Sequence, residues 1–222
     1  VIDSGLQMMG GYGFIEEYTM ARLYRDCRID RIWEGTNEIN RQIITGYIMK
    51  KALMEELPIQ SAIREIEQYM NNGKLETDSE ILLAESNVVE TSKRLALFLL
   101  NEGICEFGQD LKHQQQIADI LANIFIDIYV AESTVLRAKK MLGDPTGPSS
   151  VEAVAKIFVA EMAQRMVQLA ETALKGIYNG DLSPLMHENL NAFRSRMYLP
   201  TNTIGLKREI AAYAYSKKSY PY

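Results

Sequence analysis

Cysteine and histidine are scarce in this 222-residue chain: Cys27 and Cys105, His113 and His187. So few ligating side chains, set so far apart, argue against a disulfide scaffold and against a multi-ligand zinc site. Unpaired thiols fit a reducing compartment. Surplus positive charge is missing as well. The net charge is −5, whereas a general nucleic-acid partner needs a dominant basic surface. No apolar run approaches the length that spans a bilayer, and the longest are broken by charges within a turn or two. Nor is there the basic start and long apolar run of a secretory signal. Long alternating stretches and a βαβ rhythm are absent too, which excludes the sheet-based folds they would specify. What remains is a chain 47% hydrophobic and 24% charged, the composition of a soluble protein able to bury a core.

Almost everything reads as helix. Glycines and prolines gather at Gly10 to Gly13, Asn71-Asn72-Gly73, Gly143 to Pro148, Gly176 to Pro184 and Pro200 to Gly205, where they punctuate the chain. Between them run apolar stripes at helical spacing. One is Ile81, Ala84, Val88, Leu95 and Leu99; a second is Ile117, Ile120, Leu121, Ile124, Ile128, Val135 and Leu142. A third is Val151, Val154, Phe158, Met162 and Leu169. Thr77-Asp78-Ser79-Glu80 and Ser149-Ser150-Val151-Glu152 carry the pattern in which side chains satisfy the free N–H groups of a helix start. The region from about Thr77 to Ile177 is therefore expected to form three long antiparallel helices. Shorter helices near Pro184 to Met197 and Thr203 to Ser216 would close the bundle. Pro58 marks a boundary between residues 1–57 and an appended helical region, 58–222.

The chemistry concentrates before that boundary. Trp33-Glu34-Gly35-Thr36 sets a carboxylate beside an indole and a glycine, among Ile29, Ile32 and Ile39. Such a carboxylate is expected to lose water, which disfavours its charged form and makes it a stronger base. Read alone, Glu34 is better explained as a charge placed at the N-terminus of the helix that follows, where the dipole favours it; only the surrounding motif turns the reading towards a base. Thr36, Asn37 and Glu38 open that helix; Thr36 reads as its N-cap, and exposed N–H groups there suit phosphate or flavin atoms. Gly10-Gly11-Tyr12-Gly13 lacks the G-x-G-x-x-G spacing and follows a helical stretch, so a dinucleotide-binding reading fails. Arg22, Arg25, Arg28 and Arg31 recur every three residues, but residues 1–55 carry seven basic against eight acidic side chains. A solvated or salt-bridged face is expected there. Met8, Met9, Met20, Met49 and Met54 read as packing residues, Cys27 as a small buried one, and His113 as exposed.

Two blocks resemble one family. Gln7-Met8-Met9-Gly10-Gly11-Tyr12-Gly13-Phe14 fits Q-x-x-G-G-x-G-F. The stretch from Arg25-Asp26-Cys27-Arg28-Ile29 through Glu34-Gly35-Thr36-Asn37-Glu38-Ile39-Asn40-Arg41 follows it. The paired blocks resemble the C-terminal part of an acyl-CoA dehydrogenase. The resemblance implies an all-α segment of that family's C-terminal domain, followed by an antiparallel helical bundle extension. The extension resembles the long- and very-long-chain branch in length and helicity, not in a motif. It further implies that Glu34 removes the α-proton of an acyl-CoA thioester while FAD accepts the β-hydride. Trp33 would form an aromatic wall at the substrate, and Gly35 would let the thioester approach the backbone. Gln7, Gly10 and Gly11 would touch the ADP half of FAD in a neighbouring subunit, with Thr36, Asn37 and Glu38 also on FAD. A homodimer or higher homo-oligomer and electron-transfer flavoprotein as acceptor follow by resemblance, in a bacterial cytoplasm or a mitochondrial matrix.

Val1 to Met9 reads as the end of a helix already under way, so the chain is expected to be a fragment that does not catalyse alone. Apolar faces in residues 1–55 are then expected to lack their usual partners. The last eighteen residues carry Lys207, Arg208, Lys217 and Lys218 against Glu209, interleaved with Tyr213, Tyr215, Tyr220 and Tyr222. Such a segment fits a solvated tail or peripheral membrane contact. Two rivals stay open: an interaction module with a vestigial site, and an acyl-CoA oxidase.

Overall fold

The computed structural model describes residues 1–72, 80–143 and 150–217. Every regular element among the described residues is helical. The chain forms two compact units, Val1–Ile44 and Thr45–Tyr222.

The first unit holds α1 (Ile2–Met8), α2 (Gly11–Phe14), α3 (Thr19–Ile29) and the start of α4 (Asn37–Leu53). Its helices are short and bury little. Gly13 and Ala21 are its only buried residues. Of the five methionines read as packing residues, Met49, which lies in the second unit, is buried; Met20 is half-buried, and Met8, Met9 and Met54 are exposed. Cys27 is also exposed, against expectation, because α3 turns only Ala21 fully inward.

The second unit is built on α6 (Leu83–Phe107), α7 (Gln115–Leu142) and α8 (Val151–Ile177), the three long helices expected. Their register follows from cross-helix contacts. Lys93 of α6 bonds Glu132 of α7 at 2.6 Å, while Glu80, just before α6, bonds Lys139 near the end of α7 at 2.7 Å. Asp127 of α7 bonds Arg165 of α8 at 3.2 Å, and Ile117 near the start of α7 lies against Gly176 near the end of α8. Each consecutive pair is therefore antiparallel. A 3-10 turn at Gly108–His113 reverses the chain between α6 and α7, and its Leu111, fully buried, packs on Gly103 of α6.

The α7 stripe is inward where predicted: Ile117, Leu121, Ile124, Ile128 and Val135 are buried, with Ile120 and Leu142 packed at the margin. In the α6 stripe, Val88, Leu95 and Leu99 are buried but Ile81 and Ala84 are exposed. The helix starts only at Leu83, behind the left-handed Leu82 (φ 59°), which goes inward instead. In the α8 stripe Val151 and Met162 are buried and Phe158 and Leu169 pack at the margin, while Val154 is exposed; the fully buried line runs through Ala155, Val159, Met162, Met166, Ala170 and Ala173. Alanines let neighbouring helices approach closely, and a search for large apolar residues passes over them. Thr77 to Ser79 and Ser149 lie outside the described residues; α6 starts only at Leu83, behind an N-cap Leu82, and Ser150 takes the N-cap position of α8 without the expected side-chain cap bond.

Around this bundle lie α5 (Ile59–Asn72), α9 (Pro184–Arg196) and α10 (Thr203–Lys217). Ile59 and Ile66 of α5 and Leu190 and Phe193 of α9 enter the core. Ser183 caps α9 by accepting from the Met186 N–H at 3.2 Å. The C-terminal half of α4 belongs here too: Met49 is buried, and the Thr45 hydroxyl donates to the Ala118 carbonyl at 2.7 Å. No described helix is long and apolar enough to cross a membrane.

Candidate active-site loop

The segment between α3 and α4 is a loop pinned at both ends. The Ile32 and Trp33 N–H groups donate to the Ile29 carbonyl at 2.8 and 3.2 Å. Across the base of the loop, the Asn37 N–H donates to the Arg31 carbonyl at 3.2 Å. Inside it, Glu34 and Gly35 both take positive φ, 52° and 94°. A left-handed glutamate is unusual among non-glycine residues, and residues held so often belong to functional sites. The Asn40 side chain fastens the turn by donating to the Gly35 carbonyl at 2.9 Å. A Cβ on Gly35 would stand 3.0 Å from the Asn40 Oδ1. The Trp33 indole N–H donates to Asp30 at 3.1 Å, which fixes the ring beside Glu34.

The start of α4 behaves as read. Thr36 Oγ1 accepts from the Ile39 N–H at 3.4 Å. The Glu38 carboxyl is held below its usual range by its own backbone N–H and by the Thr36 hydroxyl. Asn37 is half-buried beside them.

Glu34 itself is exposed. Ile29, Ile32, Trp33 and Ile39 are 39%, 48%, 57% and 53% exposed, so the expected dry surroundings are not formed by these neighbours. The first unit has too few inward side chains to exclude water from its own loop.

The upstream glycine loop is open. Gln7, Gly10 and Gly11 face solvent. Gly10 has φ 58°, and nothing stands within 4 Å of where a Cβ would lie on Gly10 or Gly11. A flat polar group can therefore rest directly on this backbone. Gly13 differs: a Cβ there would meet the Leu6 carbonyl oxygen at 2.5 Å. It packs α2 against α1 and so positions the loop. Gly13 and Asn40 were not singled out from the sequence, although both stand within the two motif blocks. The basic run is solvated as expected: Arg22, Arg25, Arg28 and Arg31 are exposed, and Arg25 pairs with Glu16, whose carboxyl it holds below the usual range.

Two family models, each described as the acyl-CoA dehydrogenase C-terminal domain, match residues 1–49 and 91–191. The second falls in the region after Pro58, where no motif was read. A probable acyl-CoA dehydrogenase of Bacillus subtilis is 35% identical over 99% of this chain and 37% of its own length. A subunit of the caffeyl-CoA reductase-Etf complex of Acetobacterium woodii is 48% identical over 23% of this chain and 14% of its own. The crystal structure of an acyl-CoA dehydrogenase complexed with FAD from Bacillus anthracis superposes with a TM-score of 0.87 at 31% identity, covering 97% of this chain and 37% of that one. The chain thus spans little more than a third of these two full-length matches. With residues 1–49 and 91–191 each matched by that family's own models, the chain belongs to the acyl-CoA dehydrogenase family.

Proposed function

We propose that this chain carries the base-bearing loop of an FAD-dependent enzyme that converts fatty acyl-CoA thioesters to trans-2-enoyl-CoA, as in fatty acid β-oxidation. The observation that carries the reading is the pinned loop, with Glu34 and Gly35 held at positive φ and Asn40 locking the turn. Glu34 takes the α-proton, a step worth roughly 10²–10⁴-fold in rate when the base is well placed. Its backbone N–H donates to the thioester oxygen, on which charge develops. Gly35, without a Cβ, leaves room for that approach. Trp33 forms the aromatic wall. Bound FAD supplies the acceptor for the β-hydride.

The open backbone at Gln7, Gly10 and Gly11 suits the ADP half of a cofactor, and Thr36, Asn37 and Glu38 suit its flavin side. In this reading the two sets serve cofactors of different subunits, so the active protein is a homo-oligomer. The exposed Ile29, Trp33 and Ile39 await cover from the rest of a longer protein, which dries Glu34 and raises its basicity. The 222-residue chain alone is then inactive. Residues 1–57 hold the catalytic segment, and 58–222 form the appended bundle of a long-chain enzyme. Electrons leave to electron-transfer flavoprotein, in line with the relative whose name places it in an Etf complex. The compartment is a bacterial cytoplasm or a mitochondrial matrix.

The test is an anaerobic acyl-CoA titration of the flavin-loaded protein containing this chain, beside its Glu34→Gln variant. Rapid bleaching of flavin absorbance in the parent, slowed roughly 10²–10⁴-fold in the variant while acyl-CoA still binds, is expected. Equal bleaching would move the base elsewhere. Peroxide release in air would make the enzyme an oxidase.

A further inference from the structure

A cleft of about 800 Å³ lies wholly within the second unit, between the first turns of α6, α8 and α10 and the segment joining α9 to α10. Its walls are apolar at Leu82, Val88, Leu199 and Leu206 and carry Glu85. Glu85 decides its chemistry. The residue is 4% exposed, yet it lines the cleft. Among the described residues its carboxylate accepts no hydrogen bond, and the charge it acts on is Lys156. Lys156 is already bonded to Glu152 at 2.5 Å. Sealed side-chain polar atoms among the described residues all have partners, so a carboxylate without one opens into the cleft. Lys156 offsets the charge of Glu85 without bonding its oxygens, and a bound cation that donates hydrogen bonds would satisfy them.

The remaining charges favour the same sign. The cleft carries four carboxylates, Glu80, Glu85, Glu152 and Glu209, against Lys156 and Arg196. Glu80 is bonded to Lys139 and Glu152 to Lys156, while the Arg196 guanidinium lies over the Tyr69 ring at 4.5 Å. A metal does not fit: calcium and magnesium need a cage of oxygen ligands, and no three metal-ligating side chains come together among the described residues. We propose that this cleft binds an organic cation, a guanidinium or primary ammonium on an aliphatic stem, with Glu85 as its acceptor and the leucine walls around the stem. A free amine and the arginine or lysine of a bound polypeptide offer the same chemistry. The proposal is independent of the flavin reaction.

The 222-residue chain is titrated with agmatine and with acetyl-Gly-Arg-Gly-amide, followed by NMR shifts of the Leu82, Val88 and Leu206 methyls. Saturable shifts are expected, with the dissociation constant weakened roughly tenfold or more in Glu85→Gln. Tighter binding of the peptide assigns a polypeptide source; tighter binding of agmatine assigns a free amine. Leu206→Trp, from a half-buried position on α10, should block both probes while Glu85 is intact, and serves where Glu85→Gln fails to fold. No saturable response, an equal response to butanol, or unchanged binding in a folded Glu85→Gln variant would overturn the proposal.

Discussion

Single residues in the first unit are constrained by backbone rather than by side-chain packing. Gly13 is the sharpest case, because the atom a Cβ would meet is the Leu6 carbonyl oxygen at 2.5 Å, and backbone cannot step aside as a flexible side chain does. Gly13→Ala is expected to destabilise α1 and α2 by about 1–3 kcal/mol, seen as faster amide exchange there with the second unit's exchange unchanged. In the second unit, Tyr178 donates its hydroxyl to Glu102 at 2.5 Å. Burial, and then Glu102, push its phenol above the ordinary value of 10.0. The fold thus favours the neutral phenol. The associated stability is complete below that ordinary value and is lost as pH rises through the raised one. Tyr178→Phe should cost about 1 kcal/mol at neutral pH and flatten the fall in stability above pH 10, measured by urea unfolding across that range.

At the scale of elements, stripe-reading works where large side chains mark the inward face. On α7, Ile117, Leu121, Ile124, Ile128 and Val135 recur at helical spacing, and all are buried. It falters on α8, where Ala155, Ala170 and Ala173 share the fully buried line with Met162 and Met166. Alanine occurs on exposed and buried helix faces alike, so its place is set by how closely neighbouring helices approach. Ala170→Leu is therefore expected to overpack this seam and cost about 1–3 kcal/mol, whereas the same change at the exposed Ala84 should fall within about 0.5 kcal/mol. Chemical denaturation of the two variants side by side checks both. The start of α6 carries the same lesson. Left-handed Leu82 delays the helix to Leu83, so Ile81 of the stripe falls outside it, and nothing in the residue type announces that conformation.

The two units of the molecule differ in how they are held together. The second has a continuous core through α4 to α9. The first buries only Gly13 and Ala21 and leaves Phe14, Ile32, Trp33 and Ile39 largely exposed. Trp33 is the only tryptophan in the chain, so its emission reports on that surface alone. Iodide should quench it readily in the 222-residue chain. On the proposal that a longer, flavin-loaded protein covers this surface and so dries Glu34, the Trp33 share of the emission, read against Trp33→Phe, should be quenched several-fold less there. Equal quenching in both would leave the base wet and count against the proposed cover.

The sequence by itself determined the helical class, the long helices from their apolar spacing, and the family through Gln7 to Phe14 and Arg25 to Arg41. These are local properties: period, turn residues and motif order are written along the chain and survive without its neighbours. Tertiary structure decided the rest. It put Gly13 against the Leu6 carbonyl, tied Asn40 to Gly35 and left Cys27 exposed. It also chose alanines for the α8 seam and set Glu85 in a cleft whose walls come from three helices. Each of these depends on which distant segments meet, and burial and backbone closeness are properties of that meeting rather than of any residue's type.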